Sequence, residues 1–200
     1  MWRIDSTVRI FFIAALTLLA SGCGTIKYMK EMPAGSTVQA PKPGKAVVVF
    51  LRSTFVAQAI TASVFEIRND NPELVGLVAN KTKLAYEVDP GRRVFMVVSE
   101  SADYMSADLA PNRTYYAFVD PRMGAFRARF SLAAVNRGGA RSQDAQSCLE
   151  DCRLVEKTAE SEGWARENMS DIRSKHLQNY PRWNQKPNNE KPHLMREDGV

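Results

Sequence analysis

Residues 83–98 read Lys-Leu-Ala-Tyr-Glu-Val-Asp-Pro-Gly-Arg-Arg-Val-Phe-Met-Val-Val. Two runs suited to β-strands flank Asp89-Pro90-Gly91, where proline presets φ and glycine accepts a positive one. The second run, Val94–Val98, is apolar at every position, as is Ala46-Val-Val-Val-Phe-Leu51, and such runs belong to central strands covered on both faces. Phe126-Arg-Ala-Arg-Phe-Ser-Leu132 instead alternates, which predicts one wet face.

Working outward, β-type runs occur at 46–52, 61–68, 73–78, 84–88, 92–99, 104–109, 113–119 and 126–135. Their spacing of about ten residues, punctuated by Asn69-Asp70-Asn71-Pro72 and Pro111-Asn112, predicts an antiparallel β-sandwich of 7–8 strands, immunoglobulin-like or similar. Each turn is expected to reverse the chain and pair its neighbours antiparallel.

Asn136-Arg-Gly-Gly139 ends the β pattern. From Ser142 to Lys157, Ala145, Cys148, Leu149, Cys152 and Val155 recur at steps of three and four, predicting a helix that lies on the sandwich. A second helix is expected to start at Thr158, with Glu160 and Glu162 in its first turn, and to stop at Tyr180-Pro181. Residues 182–200, with Pro187, Pro192 and paired asparagines, predict an extended or disordered tail.

The N-terminus carries a different signal. Arg3 and Arg9 precede Ile10–Ala20, an uncharged run too short for the roughly 20 residues of a spanning helix, and this is the pattern of a secretory signal. Leu19-Ala20-Ser21-Gly22-Cys23 resembles the lipobox of bacterial lipoproteins, where small residues fit the signal peptidase and a cysteine accepts lipid. The resemblance implies cleavage before Cys23, thioether-linked diacylglycerol on its sulfur and an acyl chain on its amine. Two or three chains make a stable anchor where one holds only marginally. Gly24 stands where an Asp would favour the inner membrane, so the expected address is the periplasmic side of the outer membrane.

Residues 24–44, with Pro33, Pro41 and Pro43, predict a flexible tether that raises the domain off the bilayer. The expected organisation is a signal peptide (1–22), lipidated N-terminus and tether (23–44), β-sandwich (45–136), helical appendage (137–181) and tail (182–200). The net charge of +5 divides into +1 for 1–23, +2 for 24–44, +2 for 45–136 and zero beyond, so no compact basic domain marks a nucleic-acid binder.

Ala46–Arg52, Lys83–Gly91, Phe95–Val98 and Leu109-Ala-Pro-Asn-Arg-Thr-Tyr-Tyr116 together resemble an uncharacterised family of bacterial lipoproteins over residues 45–135. The resemblance implies a small β-sandwich behind a lipobox and assigns no reaction, cofactor or ligand.

Few residues point to chemistry. Cys148 and Cys152 suggest a disulfide in an oxidising compartment, although helical residues four apart hold their Cβ atoms about 5–6 Å apart and a bridge wants roughly 3.5–4.5 Å. Bridging would need a distorted turn; free thiols or a metal site are the alternatives, and zinc would find only His176 and His193 to complete its ligands. No nucleophile elbow, zinc-protease helix or phosphate loop is present, and His176 reads as a helix-face residue. Tyr115 and Tyr116 project to opposite faces of one strand. With Arg122, Arg127 and Arg129 they offer a candidate binding surface, against the plainer reading of an edge strand protected by arginine. The expected function is a non-catalytic, lipid-anchored interaction module whose partners are the bilayer and another envelope protein. A ligand- or glycan-binding lipoprotein comes second, and an unrecognised hydrolase third.

Overall fold

Strand β2 (Ala46–Arg52) is buried at all seven positions, and the layers around it explain why. The computed structural model describes residues 26–122 and 129–200, so the signal segment, Leu19, Ala20, Ser21, Gly22, Cys23 and Arg127 lie outside the described residues. The remaining strands are β1 (Met29–Glu31), β3 (Ala62–Arg68), β4 (Asn71–Val78), β5 (Thr82–Val88), β6 (Gly91–Val98), β7 (Ala102–Leu109), β8 (Thr114–Arg122), β9 (Arg129–Ala134), β10 (Arg153–Lys157) and β11 (His193–Leu194). The α-helices among the described residues are α1 (Ser142–Asp151) and α2 (Ala159–Asn184).

Two sheets pack face to face, one in the order β1-β10-β5-β2-β8-β9 and the other β11-β7-β6-β3-β4. Val48 and Phe50 of β2 point between them, where Phe50 meets Phe95 edge-on at 5.3 Å. Val47, Val49 and Leu51 point outward into a second cluster with Phe118, Ala145, Cys148 and Cys152, so α1 roofs the six-stranded sheet. Arg141, just before α1, pairs with Asp120 and lies 3.8 Å from the Phe118 ring centroid. Helix α2 roofs the other sheet through Ile172, His176 and Trp183. Covered central strands have no wet face, hence the unbroken apolar runs in β2 and β6.

The mainly β, two-layer architecture agrees with the expected sandwich, with eleven strands among the described residues where seven or eight were expected. The three extra strands lie in segments whose sequence suggested something else. β1 falls in the supposed tether, pairs antiparallel with β10, and buries Ile26 and Met29; Gly76 admits the Met29 methyl because a Cβ there would stand 3.1 Å from it. β10 falls in the supposed first helix: Val155 fits the helical spacing, but it also fills the core from a strand that pairs parallel with the open edge of β5. An available sheet edge overrides weak helical periodicity.

The tail is likewise ordered rather than loose. β11 pairs parallel with β7, and Leu194 is fully buried. Buried Asp198 accepts bonds from Asn136 Nδ2 (2.9 Å), Arg137 N (2.9 Å) and Met195 N (2.8 Å). Thr114 and Val200 exchange backbone bonds of 2.9 and 3.0 Å, and a Cβ on Gly199 would strike Tyr115 at 2.7 Å.

Two further expectations change. Helix α2 starts as expected, with Thr158 and Ser161 forming a capping box, but passes through Pro181 to Asn184. Its last turn places Trp183 5.5 Å from Tyr104, contact enough to offset the backbone bond that Pro181 cannot donate. Asp89-Pro90-Gly91 does not make a hairpin: it carries the chain from one sheet to the other, since β5 is flanked by β2 and β10, and β6 by β3 and β7. Parallel β2–β8, β10–β5 and β11–β7 pairs follow from such crossings.

Candidate functional site

β2 ends on Arg52, whose strand position aims it between the sheets beyond Val48 and Phe50. It is the largest fully buried side chain, with 0% exposure. Its Nη1 donates to the carbonyls of Ile60 (2.5 Å) and Val78 (3.0 Å), its Nη2 to that of Ala57 (2.6 Å), and its plane lies 4.5 Å from the Phe130 ring centroid. Burial lowers its pKa to about 10, which still leaves it charged at neutral pH. No carboxylate pairs with it among the described residues. This cation therefore works on backbone carbonyls, and two of the three belong to the loop joining β2 to β3.

That loop, residues 53–61, is shaped from within. Thr54 N donates to Asn80 Oδ1 (3.0 Å), Val56 N to Thr54 Oγ1 (3.0 Å), Gln58 Nε2 to the Phe55 carbonyl (3.1 Å) and Ile60 N to the Ala57 carbonyl (3.1 Å). Ala57 takes a left-handed φ of 53°, an uncommon cost for alanine. With polar groups turned to this scaffolding, the apolar side chains point out: Phe55 is 96% exposed, Val56 54% and Ile60 42%. A single exposed apolar residue needs no explanation, but three within six positions on one loop make a patch.

Other features gather at this end of the sandwich. The Cys148–Cys152 disulfide forms where α1 gives way to extended backbone at Cys152 (φ −79°, ψ 141°), with a Cα separation of 4.8 Å. Cys152 Sγ lies 3.8 Å from the Arg52 carbonyl, and Lys83 Nζ donates to the Leu149 carbonyl at 2.5 Å, so the bridge and the end of α1 buttress β2 and β5. Lys81, exposed in the turn after Asn80, makes no ion pair among the described residues. Arg122 and Arg129 face each other across β8 and β9; Arg122 Nε donates to Ser131 Oγ (2.7 Å) and Arg129 lies 3.7 Å from Glu100. Leu51 pairs with Phe118 in parallel register, so Arg122 stands roughly 10 Å beyond the end of β2 in the direction of the loop.

The tyrosines considered with these arginines lie elsewhere. Tyr115 is fully buried, its hydroxyl accepting from Ala110 N (2.7 Å) and donating to the Arg196 carbonyl (3.1 Å). Tyr116 is half-buried against the α1 cluster, which raises its pKa. Six residues of strand, about 20 Å, separate it from Arg122. The structure joins Arg122 to Arg129 and parts both from Tyr115 and Tyr116.

His176 has a structural setting. Its Nδ1 meets the Tyr104 hydroxyl at 3.2 Å and its Nε2 meets Asp70 Oδ1 at 3.1 Å, which ties α2 to β7 and to the β3–β4 turn. Tyr104 and His176 are buried and only the Asp70 end of this series meets solvent. Among the described residues no helix is long and apolar enough to cross a membrane.

The Phe55 loop escapes a sequence reading built on strands because it falls between two of them. Its signal is a connection without Gly or Pro that carries Phe55, Val56 and Ile60, where turn chemistry would favour polar residues. Comparison with known protein families and with curated proteins finds no match for this chain.

Proposed function

We propose that this protein is a bacterial envelope lipoprotein, anchored through Cys23 to the periplasmic side of the outer membrane, whose sandwich acts as a non-catalytic interaction module. Its partner is another envelope protein, received by the loop carrying Phe55. The observation that carries this reading is a nearly fully exposed Phe55 on a loop whose shape a buried Arg52 maintains. Aromatic anchors presented on a rigid support, with arginines near them, are what protein interfaces use. The two-sheet scaffold, immunoglobulin-like in its layering, supplies that rigidity. Lipid on Cys23, diacylglycerol with an N-acyl chain, is the only prosthetic chemistry in this proposal.

The ordered N-terminal segment alters what the anchor does. Ile26 is already packed in the core, and the three residues from Cys23 to it span at most about 11 Å. A lipid on Cys23 therefore holds the domain against the bilayer, and residues 26–44 run along the protein instead of lifting it.

Metabolic labelling with a fatty acid tests the anchor: wild type takes up label and Cys23→Ser does not, whereas a processed, membrane-fractionating Cys23→Ser chain contradicts it. Pull-down from detergent-solubilised envelopes tests the module. A partner recovered with wild type and lost with Phe55→Ser supports the loop; equal recovery with both places the interface elsewhere.

A further inference from the structure

Helix α2 covers the outer face of the five-stranded sheet as far as Tyr104, and the ordered C-terminal segment then arches over what remains. Between them lies a cleft of about 520 Å³, floored by Ile67 and Val94 and walled by Arg92, Lys191, Ser106 and His193. Its size falls in the ordinary range for small-ligand sites, roughly 300–1,000 Å³. Register explains the convergence: Val94 pairs with Ser106 across β6 and β7, and Ser106 with His193 across β7 and β11. The strap that brings Lys191 and His193 here is pinned by buried Leu194 and by Ser106 N donating to the Pro192 carbonyl at 3.0 Å.

The charges of the cleft do not cancel. Asp108, its one acid, stands opposite Arg92 in the β6–β7 register, but its ion pair is with Arg196 at 3.4 Å. Arg93 is directed away from it, donating to the Asp89 and Pro90 carbonyls and lying 3.6 Å from Glu66. Lys191 donates to the Asn184 carbonyl (2.8 Å) and sits 5.1 Å from the Trp183 ring centroid, which leaves it further N–H groups. Arg92 is exposed and has neither an ion pair nor a side-chain hydrogen bond among the described residues. Ser106 Oγ and His193 Nδ1 stand 2.8 Å apart, adding a hydroxyl and an imidazole at the same mouth.

We propose that this cleft binds a small amphiphilic anion, its phosphate or carboxylate held by Arg92 and Lys191 and its short apolar part laid on Ile67 and Val94. The pairing of a free guanidinium with an apolar floor selects for both halves of such a molecule. Inorganic phosphate lacks the part that Ile67 and Val94 would cover, and an alcohol lacks the charge. The site stands apart from the Phe55 loop, and neither proposal depends on the other.

The test uses the purified full chain in zwitterionic detergent, titrated calorimetrically with hexyl phosphate, hexanoate, hexanol and inorganic phosphate, with the Ile67 and Val94 methyl resonances followed in parallel. The two organic anions are expected to bind and to shift those methyls. Hexanol and phosphate are expected to bind about tenfold more weakly or worse, and an Arg92→Gln, Lys191→Gln double variant to lose about tenfold or more in affinity for the organic anions. Both substitutions keep a polar side chain at sites that are not fully buried, so folding is not at stake. Undiminished binding by the double variant, hexanol binding as well as hexyl phosphate, or unmoved methyls would each overturn the proposal.

Discussion

Arg52 and Glu66 are both fully buried charges between the same two sheets, and the sandwich treats them in opposite ways. Glu66 accepts from the Tyr86 hydroxyl (2.7 Å) and from Arg68 Nε (2.8 Å), while Arg93 Nε approaches its other oxygen at 3.6 Å. Arg68 also donates to Tyr86 (3.2 Å) and lies 3.4 Å from Glu73, so this charge sits in a network with countercharges that joins strands to strands. Tyr86 pairs with Val48, four residues or about 13 Å from Arg52 along β2. At its end Arg52 has no carboxylate among the described residues, only three carbonyls and the Phe130 ring, and two of the three carbonyls are in a loop. One buried charge closes the sandwich; the other gives shape to a loop that contributes little to the core. The interface proposed for the loop supplies a reason for a buried cation that holds a segment bearing an exposed Phe55.

Arg52→Ala is the largest test of this contrast. It leaves a cavity and unpaired carbonyls, and should reduce unfolding free energy by about 3–4 kcal/mol in urea. Limited proteolysis should then cut residues 53–61 first. A loss under about 1 kcal/mol, with the loop still resistant, would show that Arg52 does not hold it.

Glu66→Gln keeps volume but removes the charge facing Arg68 and Arg93, and should cost about 1–3 kcal/mol without opening the loop. Loop cleavage in this variant would mean that the two ends are not independent. The same end has a pH signature. Burial first, then the bond to Glu66, pushes the Tyr86 phenol well above its ordinary range; burial does the same for Tyr104 and raises Tyr116. Unfolded tyrosines ionise near pH 10, so the contribution of these three phenols to stability should be constant below that pH and fall as pH rises through and past it, because only the unfolded chain releases these protons. Tyrosinate absorbance should accordingly appear together with unfolding. Free titration of Tyr86, Tyr104 and Tyr116 in the folded protein near pH 10 would contradict the burial.

Reducing the Cys148–Cys152 bridge, or replacing both cysteines by serine, should cost about 2 kcal/mol or less, since so short a ring restricts the unfolded chain little. Because Cys152 backs Arg52, the loss should be accompanied by faster loop proteolysis; an unchanged loop would confine the bridge to α1. Phe55→Ser should have the smallest effect on stability, within about 0.5 kcal/mol, as it removes no buried contact.

What the chain discloses in advance follows from how local each cause is. The eight strands from β2 to β9 are legible because alternation, unbroken apolar runs and turn residues act over a few positions. The Asp89–Gly91 crossing is not, because a turn has the same chemistry whether the next strand pairs beside the last or in the facing sheet. β1, β10 and β11 are short and owe their form to partners distant in sequence, as Val155 owes its place to the edge of β5. Thr158 announces the start of α2 through its own cap, while the end is set by Trp183 reaching Tyr104, which overrides Pro181. At the site, alternation predicts Arg127 and Arg129 on one face of a strand, whereas the pairing of β8 with β9 is what sets Arg122 opposite Arg129. The Phe55 loop depends on Arg52, whose role rests on carbonyls of Ala57, Ile60 and Val78 that no sequence pattern records.

The most direct measurement places a photo-crosslinking amino acid at Phe55 in the full chain in intact cells, with exposed Leu177 on α2 as the control position. A discrete protein adduct from position 55 and none from position 177 is the predicted result. Lipid adducts alone from position 55, or the same proteins from both positions, would contradict it.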